Sequence, residues 1–163
     1  METRIKLKKI KVLQSRSEET HCYTASVYFD GVKCAEVGNG GHGAEDDYYP
    51  VNPEIASKMQ AYIDTLPDHI YEGFGKNPEP WSVPESLESI CSEAINEWYY
   101  MKDYKKATKS WAYYTGEWDG SYYTIKGAKS KYTRDVIVQY LAKEKTYNLL
   151  NDLTFAQYRT LVG

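Results

Sequence analysis

Cysteine, histidine and phenylalanine are scarce, with three of each among 163 residues. An odd number of cysteines, none in a Cys-x-x-Cys spacing, excludes a disulfide framework and a thiolate zinc knuckle. Cys22, Cys34 and Cys91 therefore read as reduced thiols acting as small hydrophobes. His21, His42 and His69 leave few general bases, and no nucleophile-elbow or Ser-His-Asp spacing is legible. No apolar run approaches the ~18 residues of a membrane span. The start, Met1 to Lys9, alternates charge with aliphatic side chains and differs from a signal peptide. A cytoplasmic protein without membrane contact is expected.

What the chain has instead is polar rings, 17 Tyr and four Trp. Charge is divided along its length. Residues 1–100 carry 9 basic and 17 acidic groups (net −8), and residues 101–163 carry 11 and 6 (net +5). The overall −3 hides a dipolar chain. A chain of this length buries roughly 70% of its unfolded surface, enough for one domain with a real core.

Residues 4–13 read as a strand in which Ile5 and Leu7 alternate with lysine until the phase slips at Lys8-Lys9, the mark of a bulge. Strands at 22–29 and 32–37 flank Asp30-Gly31, residue types that supply the positive φ angles of a type I′ turn. That turn sets Phe29 opposite Val32, Val27 opposite Cys34 and Ala25 opposite Glu36. The core face is then Tyr23, Ala25, Val27, Phe29, Val32 and Cys34, with Cys22 on the other face. Asn52-Pro53 starts a helix with the stripe Ile55, Met59, Tyr62, Ile63 and Leu66. All six prolines lie between residues 50 and 84, and 71–84 reads as a connector.

Ser82 and Glu85 form a capping box for a longer helix, with Leu87, Cys91, Ala94, Trp98 and Met101 inside and an end near Lys106. A second hairpin, 111–115 with 122–126, turns at Asp119-Gly120. Thr133 caps a third helix with Val136, Ile137, Tyr140 and Leu141 inside, and 154–161 closes the chain as a helix. The expectation is a single α+β domain over 1–163, antiparallel hairpins packed on two or three helices. Its parts are a hairpin region at 1–50, a helical region at 51–109, and a C-terminal hairpin with helices at 110–163.

Gly38-Asn39-Gly40-Gly41-His42-Gly43 has the composition of an anion-binding backbone nest, but it matches neither the Walker loop nor the dinucleotide fingerprint. Glu45, Asp46 and Asp47 follow and would repel an anion, so a flexible or tightly turned loop leaving the hairpin is the simpler reading. Asn39, His42, Glu45, Asp46 and Asp47 are the loop's candidate residues. The hairpin register brings His21 near Gly40, and with His42 and Asp46 or Asp47 it offers two imidazoles and a carboxylate for a transition metal. None of the familiar metal-ligand spacings is present, and neither metal nor cofactor is expected.

A basic-aromatic constellation follows. Lys102, Lys105, Lys106, Lys109, Lys126, Lys129, Lys131 and Arg134 surround Tyr104, Trp111, Tyr113, Tyr114, Trp118, Tyr122, Tyr123 and Tyr132. Cations for phosphates interleaved with rings for bases suit a single-stranded nucleic acid. The same residues also describe a ribbon whose rings pack across strands beneath solubilising lysines. Tyr and Trp equally anchor protein interfaces. Glu18-Glu19, Glu36 and Glu45-Asp46-Asp47 gather at one hairpin end, either as a surface for a basic partner or as a solvated rim.

Ser17-Glu-Glu-Thr20, Ala25-Ser-Val-Tyr-Phe-Asp-Gly31 and Asn39-Gly-Gly-His-Gly43 together resemble a group of short proteins from phage, prophage and bacterial mobile regions. The segment here ends Gly43-Ala44 where the group has Gly-Gly. The resemblance is confined to residues 17–43, with a looser echo in Leu149-Leu-Asn-Asp152. It implies no catalytic activity, only a context in which small accessory proteins bind a host or defence protein. The expected function is that of a non-enzymatic binding protein with a protein partner, possible inhibition of a host nuclease or defence complex included. A single-stranded nucleic acid held by residues 102–134 is the second expectation, and a metal-assisted enzyme at the Gly-rich loop the third.

Overall fold

The structure, a computed structural model, describes residues 4–71, 79–126, 129–144 and 146–163. The chain is α+β, and its contacts gather in two compact units, Met1–Asn96 and Glu97–Gly163. No helix among the described residues is long and apolar enough to cross a membrane.

The first unit is built on a four-stranded antiparallel sheet in sequence order: β1 (Ile5–Val12), β2 (Tyr23–Phe29), β3 (Val32–Asn39) and β4 (Asp47–Pro50). The phase slip in β1 is a true irregularity, since its register against β2 shifts between Lys8 and Lys11 and Lys9 has φ +56. Asp30 and Gly31 take φ +48 and +83, as the turn requires. Beside it Arg4 forks onto the Asp30 carboxylate at 2.9 and 2.5 Å, its guanidinium 4.6 Å from the ring centroids of both Phe29 and Tyr62.

One register differs from expectation. Phe29 pairs with Val32 and Tyr28 with Lys33, but Val27 then pairs with Ala35 and Ala25 with Val37. Cys34 is the extra residue of a bulge and, like Ala35, is wholly buried, its sulfur 3.6 Å from that of Met59. Every later β3 residue moves along by one, so Val37 faces the core while Val32, beside the turn, stays 47% exposed.

Helix α1 (Pro53–Ile63) starts where Asn52 Oδ1 accepts from the Ile55 N–H at 3.3 Å. It buries Ala56, Met59 and Ile63. Strands β5 (His69–Tyr71) and β6 (Trp81–Val83) pair antiparallel, and residues 72–78 of the expected connector lie outside the described residues. The expected cap at Ser82 is displaced to Ser86, because Ser82 is spent in the β5–β6 ladder and Pro84 follows it. Ser86 and Ser89 exchange backbone-to-hydroxyl bonds, each 3.1 Å, at the start of α2 (Leu87–Ala107). The early part of α2 buries Cys91 and Ile95 completely. The expected stripe missed Ile95 and counted Leu87 and Ala94, which are only half-buried.

The second unit contains the rest of α2 and a three-stranded sheet in the order β8 (Tyr123–Ile125), β7 (Trp111–Tyr114), β9 (Asn148–Leu149). The Asp119-Gly120 signal belongs to a longer loop, in which Gly116 and Gly120 both take positive φ and Asp119 Oδ1 accepts from the Ser121 N–H at 2.9 Å. Helices α3 (Arg134–Leu141) and α4 (Phe155–Val162) complete the unit, α4 opening with a capping box between Thr154 and Gln157.

The pleat of β7 splits this unit's core in two. Ala112 is buried with Ala107, Leu150 and Tyr158, and Tyr104, Tyr114, Trp118 and Tyr122 pack around them. On the alternate face Trp111, Tyr113, Ile125 and Tyr132 pack on Ile137, Leu141 and Leu149. Of the four α3 residues expected inside, Ile137 and Leu141 are buried, while Val136 and Tyr140 are exposed. Residues 136 and 140 form the neighbouring i, i+4 row, about 100° around the helix from the buried one.

Candidate functional site

Asn39 is the centre of the loop cluster. Its Oδ1 accepts from Thr20 Oγ1 at 2.7 Å and from the Gly41 N–H at 2.8 Å. Its Nδ2 donates to the Ala44 carbonyl at 2.8 Å and to Asp46 Oδ1 at 3.0 Å. All four hydrogen-bonding positions of the amide are filled, at a residue only 8% exposed. Asp46 also accepts from the Tyr23 hydroxyl. The Gly41 carbonyl accepts from the N–H groups of Glu18 and Glu19 at 2.9 and 3.2 Å, and the Gly43 N–H reaches Thr20 Oγ1 at 3.3 Å.

The Ser-Glu-Glu-Thr loop and the Gly-rich loop thus interlock through these bonds. A Cβ on Gly41, whose φ is +90, would lie 2.1 Å from the Arg16 carbonyl oxygen and 2.9 Å from Cys22 Cβ. The glycine is there because two backbones meet. These contacts make the loop a structural latch between residues 17–20 and 39–46.

The histidines do not converge. His42 Nδ1 faces Glu18 Oε2 at 3.2 Å, whereas His21 Nε2 faces Asn96 Oδ1 at 3.1 Å. Among the described residues no group of three or more His, Cys, Asp or Glu side chains is arranged to hold a metal ion. Of the acidic run, Asp46 is held inside and Glu45 and Asp47 are exposed. Burial, and then the charges of Asp46 and Glu45, raise the carboxyl of Glu88 above its ordinary range.

All three cysteines are free and buried. Burial, followed by the charge of Asp46, pushes the Cys91 thiol up to about 12, and burial raises Cys34 as well. Iodoacetamide at pH 8 is therefore expected to leave Cys34 and Cys91 unmodified in the native protein and to alkylate both in denaturant, read by peptide mass spectrometry. Rapid native labelling of either would show that its shell opens.

The basic-aromatic residues are divided by the fold. Lys102, Lys105, Lys106, Lys109, Lys126, Lys129, Lys131 and Arg134 are exposed. Arg134, however, is committed to Asp152, at 2.9 and 2.6 Å. Lys102 lies 4.8 Å from the Trp98 ring centroid and Lys129 5.5 Å from that of Trp111. The rings turn inward. Trp111 donates its indole N–H to the Tyr132 carbonyl at 3.1 Å, Tyr113 stacks on Tyr123 at 5.4 Å, and Trp118 meets Tyr114 edge-on at 5.1 Å. Trp111, Tyr113 and Trp118 are thus packing residues first.

Two surfaces escaped the sequence reading. In the second unit Tyr123 and Tyr140 are 59% and 61% exposed, next to Val136 at 47%. Tyr123 stacks on the Tyr113 ring at 5.4 Å, and Tyr113 packs on Ile137 and Leu141 of α3, the helix that also carries Val136 and Tyr140. The clue was the 136/140 pair, which has the spacing of a helix face. In the first unit the outer sheet face carries Lys8 and Lys11 of β1, Tyr28 of β2, Lys33 of β3 and Tyr49 of β4. Alternating lysines in β1 signalled that face, although the acidic total of residues 1–100 concealed it. Compared with models of known protein families, with curated proteins and with solved structures, the chain matches none.

Proposed function

We propose that this chain is a binding protein without chemistry of its own, and that it engages a protein partner through the tyrosine patch of its second unit. The observation that carries this reading is the exposure of Tyr123, Tyr140 and Val136 on one packed scaffold, supported from below by the Tyr113 ring. Tyrosine brings a large, stiff contact area at low entropic cost and is enriched among the residues that dominate interface energies. The exposed Lys126, Lys129 and Lys131 follow the same strand and favour a partner with an acidic rim. The resemblance of residues 17–43 to proteins of phage, prophage and bacterial mobile regions supports a choice of partner class. It would be a host nuclease or defence complex, inhibited by occupancy.

The test is affinity purification from the host with nuclease-treated lysate, comparing the wild-type chain with a Tyr123→Ser/Tyr140→Ser variant. The wild type is expected to retain a one-to-one complex that nuclease does not disperse. The variant, folded by circular dichroism, should bind at least roughly 30-fold more weakly, since each hot-spot side chain is worth about 2 kcal/mol or more. Equal capture by both proteins, or loss of the wild-type complex on nuclease treatment, would remove the proposal.

A further inference from the structure

The outer face of the first unit's sheet holds a depression of roughly 660 Å³. Thr24, Gly38 and Cys22 line it, with Lys11, Leu13 and Arg16 contributed from β1 and the following loop and Tyr49 from β4. Gly38 pairs with Thr24 and adds no side chain to the floor; a Cβ there would stand 2.9 Å from the Tyr23 carbonyl oxygen. Tyr49 is 62% exposed, and Arg16 and Lys11 are exposed too.

The cations continue along the same face. Lys8, opposite Ser26, lies 4.2 Å from the Tyr28 ring centroid. Lys9 is within electrostatic reach of Glu36, the carboxylate already ion-paired with Lys33. The carboxylates in the lining are thus Glu36, neutralised by these lysines, and Asp47 at the β4 wall, where it can accept from a ring or amino N–H of a base edge.

We infer that this face binds single-stranded nucleic acid, with one base seated on the Gly38 floor against Tyr49 and the flanking phosphates on Lys8, Lys11 and Arg16. Edge strands are commonly studded with lysine to block strand pairing, and β1 is an edge strand. That role leaves two features unexplained: Arg16 lies in a loop beyond the strand, and the exposed ring comes from the opposite edge. A cationic track beside a ring and a flat floor meets the two needs of single-strand binding, phosphate neutralisation and base stacking. The nucleic-acid chemistry sought in residues 102–134 is better placed here, because every ring of that constellation except Tyr123 packs against one of the two cores, whereas Tyr49 faces outward beside the cations.

Fluorescence anisotropy of a labelled twelve-residue oligothymidylate, titrated with the full chain from 50 to 300 mM salt, tests the inference. Wild type should bind with a steep salt dependence. The Lys8→Gln/Lys11→Gln/Arg16→Gln variant should lose about two units of that log–log slope, at ~0.7 per phosphate contact. Tyr49→Ala should bind roughly tenfold more weakly with the slope unchanged. All four side chains are exposed, and thermal melts should match wild type. Four results would each overturn the inference: no wild-type binding at 50 mM salt, wild-type behaviour in both variants, loss of binding in a Lys102→Gln/Lys105→Gln/Lys106→Gln control, or competition by polyglutamate equal to that by unlabelled oligonucleotide. Because Tyr123 and Tyr140 are untouched, failure here is separable from failure of the tyrosine-patch reading.

Discussion

Gly41→Ala is expected to destabilise the first unit by roughly 3–5 kcal/mol, close to loss of folding for a marginally stable protein. Two costs combine. The residue sits at φ +90, where an alanine is strained by about 1 kcal/mol. Its Cβ would also stand 2.1 Å from the Arg16 carbonyl oxygen, which belongs to backbone and cannot swing aside. Relief of that overlap requires the two loops to part, and with them go the bonds from the Glu18 and Glu19 N–H groups to the Gly41 carbonyl.

Gly31→Ala separates the two costs. Its φ is +83, but nothing lies within 4 Å of the added carbon, so only the strain of about 1 kcal/mol remains. Urea unfolding of both variants against wild type measures the difference. Equal, small effects would mean that the latch is loose in solution.

In the second unit the largest effect is expected from Tyr158→Ala. Tyr158 is 1% exposed, sits among Ala107, Ala112 and Leu150, and donates its hydroxyl hydrogen to Asp103. Removing the ring leaves a cavity and costs about 3–5 kcal/mol. Burial, and then the bond to Asp103, hold the phenol above its ordinary range, so the neutral donor is present throughout the physiological pH range. Tyr158→Phe keeps the volume and removes only the bond, a loss of about 1 kcal/mol. Thermal melts of the two variants therefore rank the ring above the hydroxyl. A phenylalanine variant as unstable as the alanine variant would reverse that order.

Local chemistry was legible wherever one or two residues decide the backbone. Asp30-Gly31 and Asn52-Pro53 each act within a turn of their own position, and each is where its residue types put it. The helix cap at Ser82 failed because a strand partner ten or more residues away competes for the same backbone. The β3 register failed because a bulge at Cys34 costs little and brings an extra small side chain under Met59, information that lies in α1 rather than in the hairpin. Asn39 was visible as a member of a Gly-rich loop. Its four hydrogen bonds were not, since Thr20 lies 19 residues before it.

From the chain alone came the α+β class, the first hairpin, the main helices and the reading of the cysteines as free thiols, all consequences of residue type, period and spacing. Folding alone decided which rings and cations share a surface. Strand alternation and helix rotation send neighbouring residues to opposite sides, so Trp111 and Tyr113 lie within a core while Tyr123 and Tyr140 look outward. Pairing also sets Lys11 and Tyr49, 38 positions apart in sequence, around one floor. Such proximity is a property of the sheet, and no count along the chain contains it.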